Sequence, residues 1–156
     1  MDRTAMQILG SHSTMAISTL RPDGWPQTTI VGYANEGFIL YFLIFRTSQK
    51  FANIAADDRV SIAVGHEPRD LREAQAVYAA AFAAEVLDPR ERDHAWSLLV
   101  ARNPALASRS IPADAALMRA ECRHVSVLDY TRGIAHTDAL HLSFEGSDRA
   151  EDEAEQ

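Results

Sequence analysis

Cysteine occurs once in this 156-residue chain, at Cys122, and lysine once, at Lys50. A single cysteine excludes an intramolecular disulfide framework and every zinc site built from several thiolates, and it fits a reducing compartment, with the cytoplasm as the expected location. Apolar runs of about 18 residues or more are absent, which excludes a helical membrane span. Residues 1–10 have neither the cationic start nor the apolar stretch of a secretory signal, so export is not expected. Basic charge is also scarce. Fifteen Lys and Arg against 22 Asp and Glu give a net charge of −7 and a pI of about 5.3, and without a basic field a nucleic-acid partner is not expected. No Gly-rich dinucleotide or P-loop fingerprint and no Gly-x-Ser-x-Gly elbow occurs, so the corresponding chemistries lose their usual signatures. The six histidines include no pair at helical i, i+4 spacing; His136 and His141 read as solvated polar residues, and no metal site is expected.

Against these absences, 47% apolar and 24% charged residues describe a chain that buries an ordinary core. Its length suits one domain, read as residues 1–145. Residues 146–156 carry −4 of the −7 charges and read as an acidic, disordered tail.

Hydrophobic spacing predicts a short helix over 4–10, then a strand over 14–20, where Met15, Ile17 and Thr19 alternate with their neighbours. Pro22-Asp23-Gly24 is a reverse turn, because proline presets φ at the second position and glycine accepts a positive φ. The β-branched stretch 26–34, the turn Asn35-Glu36-Gly37 and the apolar run 38–45 continue the meander. A helical segment over 48–55 leads into a strand over 59–65. The alanine-rich stretch 71–87 is ambiguous: propensity favours a helix, while Ala76, Tyr78, Ala80, Phe82, Ala84 and Val86 alternate as a strand would. Asp88-Pro89 opens a helix that Pro104 stops, and a strand over 117–130 closes the fold. The expectation is a mainly β, α+β fold: a six-stranded antiparallel barrel with short flanking helices.

Chemistry concentrates in Phe42-Leu43-Ile44-Phe45-Arg46-Thr47-Ser48-Gln49-Lys50, where a strand exits into a turn and a helix begins. Helix-start amides, the Thr47 and Ser48 hydroxyls and the cations of Arg46 and Lys50 would make an anion pocket suited to a phosphate. Residue types alone leave open whether this is a ligand site or a capped helix with solvated basic ends. Cys122, beside Arg119 and Arg123, reads as a small core residue rather than a reactive thiol.

The order of Leu20-Arg-Pro-Asp-Gly24, the Thr-rich strand, the Asn-Glu-Gly turn, Ser48-x-Lys50 and Asp58-Arg-Val-Ser-Ile62 resembles the pyridoxamine 5′-phosphate oxidase-like superfamily of FMN-binding split barrels. The likeness spans roughly residues 14–87, with an echo in Leu128-Asp-Tyr-Thr-Arg-Gly133. It implies a split barrel with Greek-key character, a homodimer with flavin at the interface, and a strand for the ambiguous stretch. Carried over by position, Ser48 and Lys50 match phosphate-binding residues, Thr28, Thr29 and Ile30 a flavin-lining strand, and Leu43 and Ile44 the border of the ring. Arg46, Thr47 and Gln49 complete the phosphate side, and Gln75 would hydrogen-bond the cofactor from the other subunit. The oxidase proper carries basic residues where this chain has Thr28, Tyr33 and Gln49, and its C-terminal Trp and Arg substrate residues lack counterparts, so oxidation of pyridoxine phosphate is not expected. The resemblance implies a flavin-dependent oxidoreductase of a small molecule, with a reduced nicotinamide as a candidate electron donor and no assigned catalytic acid or base. Related barrels use deazaflavin or heme, for which His124 or His136 would be the ligand. A flavin-binding or sensor protein without turnover, and a barrel that has lost its cofactor, stay open as well.

Overall fold

The computed structural model describes residues 2–143; the acidic tail expected over 146–156 lies outside them. Within the described residues, three helices and eight strands follow the order α1 (Asp2–Ser11), β1 (Thr14–Leu20), β2 (Pro26–Gly32), β3 (Ala34–Glu36), β4 (Ile39–Phe45), α2 (Gln49–Ala56), β5 (Arg59–Gly65), β6 (Gln75–Glu85), α3 (Pro89–Arg102), β7 (Ala115–Asp129) and β8 (Thr137–His141). Single 3-10 turns occur at Leu71–Glu73, Pro104–Leu106 and Tyr130–Arg132.

The strands form one antiparallel sheet in the order β2-β1-β5-β6-β7-β4-β3, with β8 added to β7. Only Tyr33 separates β2 from β3 in the chain, yet these strands stand at opposite ends of that order. A single extended segment therefore supplies both ends, and the sheet has to curl to let it do so. Inside the curl lie Met15, Ile17, Phe42, Ile44, Val64, Val77, Met118, Val125 and Val127, and α1 adds Ala5, Ile8 and Leu9 to this core. The expected count of six strands is corrected to eight, arranged as a β1–β2 hairpin and a β3–β4 hairpin attached to either side of a β5–β6–β7 meander.

Each element answers to a local cause. At the β1–β2 turn Gly24 takes φ +84° and donates to the Arg21 carbonyl over 2.9 Å, while Asp23 accepts from the Trp25 amide. Strand β4 is apolar throughout because both its faces are covered: Leu40, Phe42 and Ile44 face the main core, whereas Ile39, Tyr41 and Leu43 pack with Ala95 and Leu99 of α3. Helix α3 starts as expected, with the Asp88 side chain accepting from the Arg90 amide ahead of Pro89.

The ambiguous stretch is the strand β6, bonded to β5 on one side and β7 on the other. Its alternation buries Val77, Ala79, Ala81 and Ala83, and these small side chains leave room for the bulky residues of facing strands. Two central ladders outweigh the helix preference of alanine, which amounts to at most about 0.7 kcal/mol per residue. The last strand expected, 117–130, is β7, but it does not close the fold. After Gly133, at φ +130°, the chain returns as β8 and pairs along His124–Leu128. Thr137-Asp138-Ala139-Leu140-His141 is short and half polar, so it lacks the pattern of a buried strand.

Candidate functional site

The corner between β4 and α2 is built by Ser48. Its hydroxyl donates to the Phe45 carbonyl over 2.7 Å and accepts from the Phe51 amide over 3.2 Å, so one side chain both closes the turn and caps the helix. The other first-turn amides of α2 have no acceptor within the helix, which leaves a partial positive charge at the corner. Lys50 extends from this first turn to β2 and donates to Thr29 Oγ1 over 3.1 Å. Among the described residues Lys50 forms no ion pair. Thr47 stands exposed on the same corner.

Arg46 is differently placed. Both of its terminal nitrogens donate to the carboxylate of Glu85 at the end of β6, and its guanidinium lies 5.8 Å from the Phe51 ring centroid. Its charge is thereby already matched by a carboxylate. Glu85 is a residue that sequence reasoning missed, since it sits 39 positions away at the end of an alanine-rich strand and carries no motif.

The remaining expected site residues divide by strand geometry, because neighbours on a strand point to opposite faces. Thr29 faces Lys50, whereas Thr28 and Ile30 lie exposed on the outer face, with Thr28 hydrogen-bonded to Ser18 of β1. Ile44 is buried in the main core, and Leu43 packs on the opposite side beneath α3, so their side chains do not border one surface. Gln49 donates to Asn53 Oδ1 over 2.8 Å, and Asn53 in turn donates to Thr19 and Gln27. Tyr33 is buried, its hydroxyl donating to the Leu9 carbonyl over 2.6 Å; it belongs to the core rather than to a phosphate pocket.

Gln75 begins β6, and Glu85 beside Arg46 ends it. Ten residues of strand at about 3.3 Å each put them on the order of 30 Å apart. Within one chain Gln75 and the Lys50 corner do not share a site. Gln75 Nε2 donates to Asp129 Oδ1 over 3.2 Å, which orients the amide and leaves its oxygen as an open acceptor. Asp129 also accepts from the Thr131 amide and hydroxyl. Burial alone would raise its carboxyl, but these bonds and the charge of Arg132 outweigh burial and hold it below its ordinary value of 3.8. The signal for Asp129 lay in the Leu128–Gly133 motif. Cys122 is buried, with its thiol pushed up to about 12 by burial and by Glu121, as befits a core residue.

Of the expected heme ligands, His124 faces His141 across β7 and β8 with ring centroids 4.2 Å apart, and His136 Nε2 lies 3.1 Å from Asp138. No group of three or more His, Cys, Asp or Glu among the described residues is disposed to hold a metal ion. No helix among them is long and apolar enough to cross a membrane.

Comparison with solved structures finds the same fold at low identity. A heme binding protein from Mycobacterium smegmatis superposes with a TM-score of 0.77 at 20% identity, covering 88% of this chain and 56% of that one. A conserved hypothetical protein, Rv2991, from Mycobacterium tuberculosis matches at 0.75 and 20% identity over 94% of this chain and 93% of its own. A FAD-binding protein from Mesorhizobium loti matches at 0.64 and 23% identity, covering 78% and 89% respectively. The chain thus spans just over half the length of the M. smegmatis protein. No curated protein sequence matches it. The family model for pyridoxamine 5′-phosphate oxidase, however, matches residues 1–132, and over that span the chain belongs to the pyridoxamine 5′-phosphate oxidase family.

Proposed function

We propose that this protein binds FMN as a homodimer and is an oxidoreductase that transfers two electrons to or from a small molecule. The observation that carries this reading is Lys50, the only lysine in the chain, which stands without a carboxylate partner among the described residues at a helix start and touches Thr29 of β2. A cation at a helix N-terminus beside hydroxyls suits a phosphate monoester. The residues fit that group, with Arg46 held back by Glu85. Lys50, the Thr47 hydroxyl and the open amides of α2 would hold the phosphate, and the β2 stretch Thr28–Ile30 would run beside the ring. When bound, FMN supplies the hydride chemistry, and the protein supplies placement and hydrogen bonds.

Two further observations support a dimer. Gln75 lies too far along β6 to reach the Lys50 corner of its own chain, so its open amide oxygen would have to serve a flavin on a second copy. The outer face of β2-β1-β5-β6 pairs Ile30 with Ala16, and Ala63 with Tyr78. Ile30 is 69% exposed and Tyr78 46%, and the small residues between them leave a broad face for another chain.

A second reading, heme in place of flavin, draws support from the His124–His141 pair on that same outer face and from the name of the M. smegmatis structure. Deazaflavin would use the same ring-side contacts as FMN. The absorption spectrum of purified protein, followed by titration with FMN, tests these readings together. Flavin bands, and a loss of FMN affinity of about tenfold or more in Lys50→Ala, support the FMN site. A Soret band carries the heme reading instead. Protein that stays colourless and ignores both FMN and deazaflavin overturns the flavin assignment in favour of a barrel that has lost its cofactor.

A further inference from the structure

His12 and His66 stand 54 residues apart in the chain, and neither takes part in the sites above. His12 follows α1 and His66 follows β5, and the fold brings His12 Nε2 to 2.8 Å from His66 Nδ1, with ring centroids 5.0 Å apart. The other nitrogen of His12, Nδ1, lies 2.7 Å from the Ile8 carbonyl oxygen. A carbonyl only accepts, so Nδ1 carries the proton and the neutral ring presents Nε2 as a bare lone pair. That lone pair points at His66, whose Nδ1 donates to it while no cation is present.

Such a ring, with one nitrogen fixed by a backbone carbonyl and the other bare and aimed at a second imidazole, is arranged as metal-ligating histidines are. His12 is also held firmly. Arg102 Nη1 donates to the His12 carbonyl over 2.6 Å and to the Leu9 carbonyl over 3.0 Å, which anchors the backbone beneath the imidazole. His66, by contrast, is exposed and open to adjustment.

We propose that His12, through Nε2, and His66, through Nδ1, form a two-imidazole site for a divalent transition cation of the zinc and copper class, with water completing the coordination. Metal–nitrogen bonds of about 2.0–2.1 Å at tetrahedral or square angles place two ligand nitrogens roughly 2.8–3.4 Å apart. With His12 fixed, the ion lies on its Nε2 lone pair, where the His66 proton now sits, so His66 Nδ1 has to swing aside by about 2 Å and turn its own lone pair to the ion, a rotamer change open to an exposed side chain. On binding, the His66 proton moves from Nδ1 to Nε2 by exchange with solvent, so both ligand nitrogens become donors of lone pairs with no net change in protonation. Imidazole ligands select this cation class over magnesium or calcium, which prefer oxygen.

The test is calorimetric titration of the untagged full-length protein with zinc chloride in a non-coordinating buffer, repeated on His12→Gln, His66→Gln and His141→Gln. One ion per chain in the micromolar range is expected, weakened by about tenfold or more in both His12→Gln and His66→Gln and unchanged in His141→Gln. Because His66 is exposed, His66→Gln keeps the thermal melt of the parent, so its loss of binding is not a loss of fold. Zinc binding that survives in His66→Gln, that disappears instead in His141→Gln, or that is absent from the parent at millimolar zinc overturns the proposal.

Discussion

Arg46 and Glu85 join the exit of β4 to the end of β6 through two hydrogen bonds from the guanidinium to the carboxylate. The pair is partly exposed, with side-chain accessibilities of 42% for Arg46 and 21% for Glu85, so its contribution to stability is small. On the proposed FMN site its consequence is larger: a carboxylate beside the corner occupies the second cation and would repel an incoming phosphate.

Glu85→Gln removes the charge and keeps the shape. With Arg46 released, affinity for FMN is expected to rise by about threefold to tenfold, the worth of a screened charge-assisted hydrogen bond. Arg46→Gln is expected to change it by less than about threefold, since that cation is already matched. Fluorescence titration with FMN checks both. A tenfold loss in Arg46→Gln with no gain in Glu85→Gln would mean that Arg46 leaves Glu85 to serve the phosphate.

A second prediction concerns Arg102, which ties three elements together. It donates to the Leu9 carbonyl in the last turn of α1, to the His12 carbonyl just beyond it and to Asn35 Oδ1 of β3, and it lies 5.5 Å over the Tyr33 ring. Arg102→Leu strips two part-buried carbonyls of a charged donor, and a loss of about 2–4 kcal/mol is expected in urea unfolding. Arg102→Lys is not expected to restore it, because one ammonium cannot reproduce a planar fork that reaches two sides. Tyr33→Phe, which loses only the bond to the Leu9 carbonyl, is expected to cost about 1 kcal/mol.

How much of this was legible in the sequence follows the range of each interaction. Two local signals were legible because their causes lie within four residues, Asp23-Gly24 reversing the chain and Asp88-Pro89 opening α3, whereas the Ser48 corner read equally as a capped helix and as a ligand site. Alternation located β1, and the apolar run after Asn35-Glu36-Gly37 located β4, although the packing of Ile44 in the main core and of Leu43 against α3 required the fold. In β6 local propensity and alternation disagreed, and only the flanking strands decide between them. Strand β8 has no hydrophobic face of its own to announce it. The Lys50 corner was visible as a motif, but what Glu85 does to Arg46 was not, since nothing near either residue specifies a partner 39 positions away.

Acid stability should report on Asp129 and Asp57. Asp129 is held below its ordinary value of 3.8 by the net of its hydrogen bonds over burial, and Asp57 falls to about 2 through Arg59. A carboxylate whose folded value is depressed stabilises the fold fully above its unfolded value and ceases to do so as pH falls through the folded one. Asp129→Asn is therefore expected to be less stable than the parent at pH 7, with the difference shrinking as pH falls below about 4. Urea midpoints across that range check it. A difference that stays constant down to pH 2 would mean that Asp129 acts by shape rather than charge.

Cys122 supplies the last prediction. Its side chain packs inside the curl with Met118, Val125 and Val127, and burial followed by the Glu121 charge pushes its thiol up to about 12. At neutral pH almost no thiolate exists, and a disulfide reagent cannot reach the sulfur without opening β7. The native protein is therefore expected to resist Ellman's reagent at pH 8 and to release one equivalent of chromophore only in denaturant. Because opening β7 breaks the ladders to β4 and β6 together, the labelling rate should fall as global stability rises on withdrawal of urea. Fast labelling in native buffer, at a rate indifferent to urea, would show that this part of β7 opens separately from the rest of the sheet.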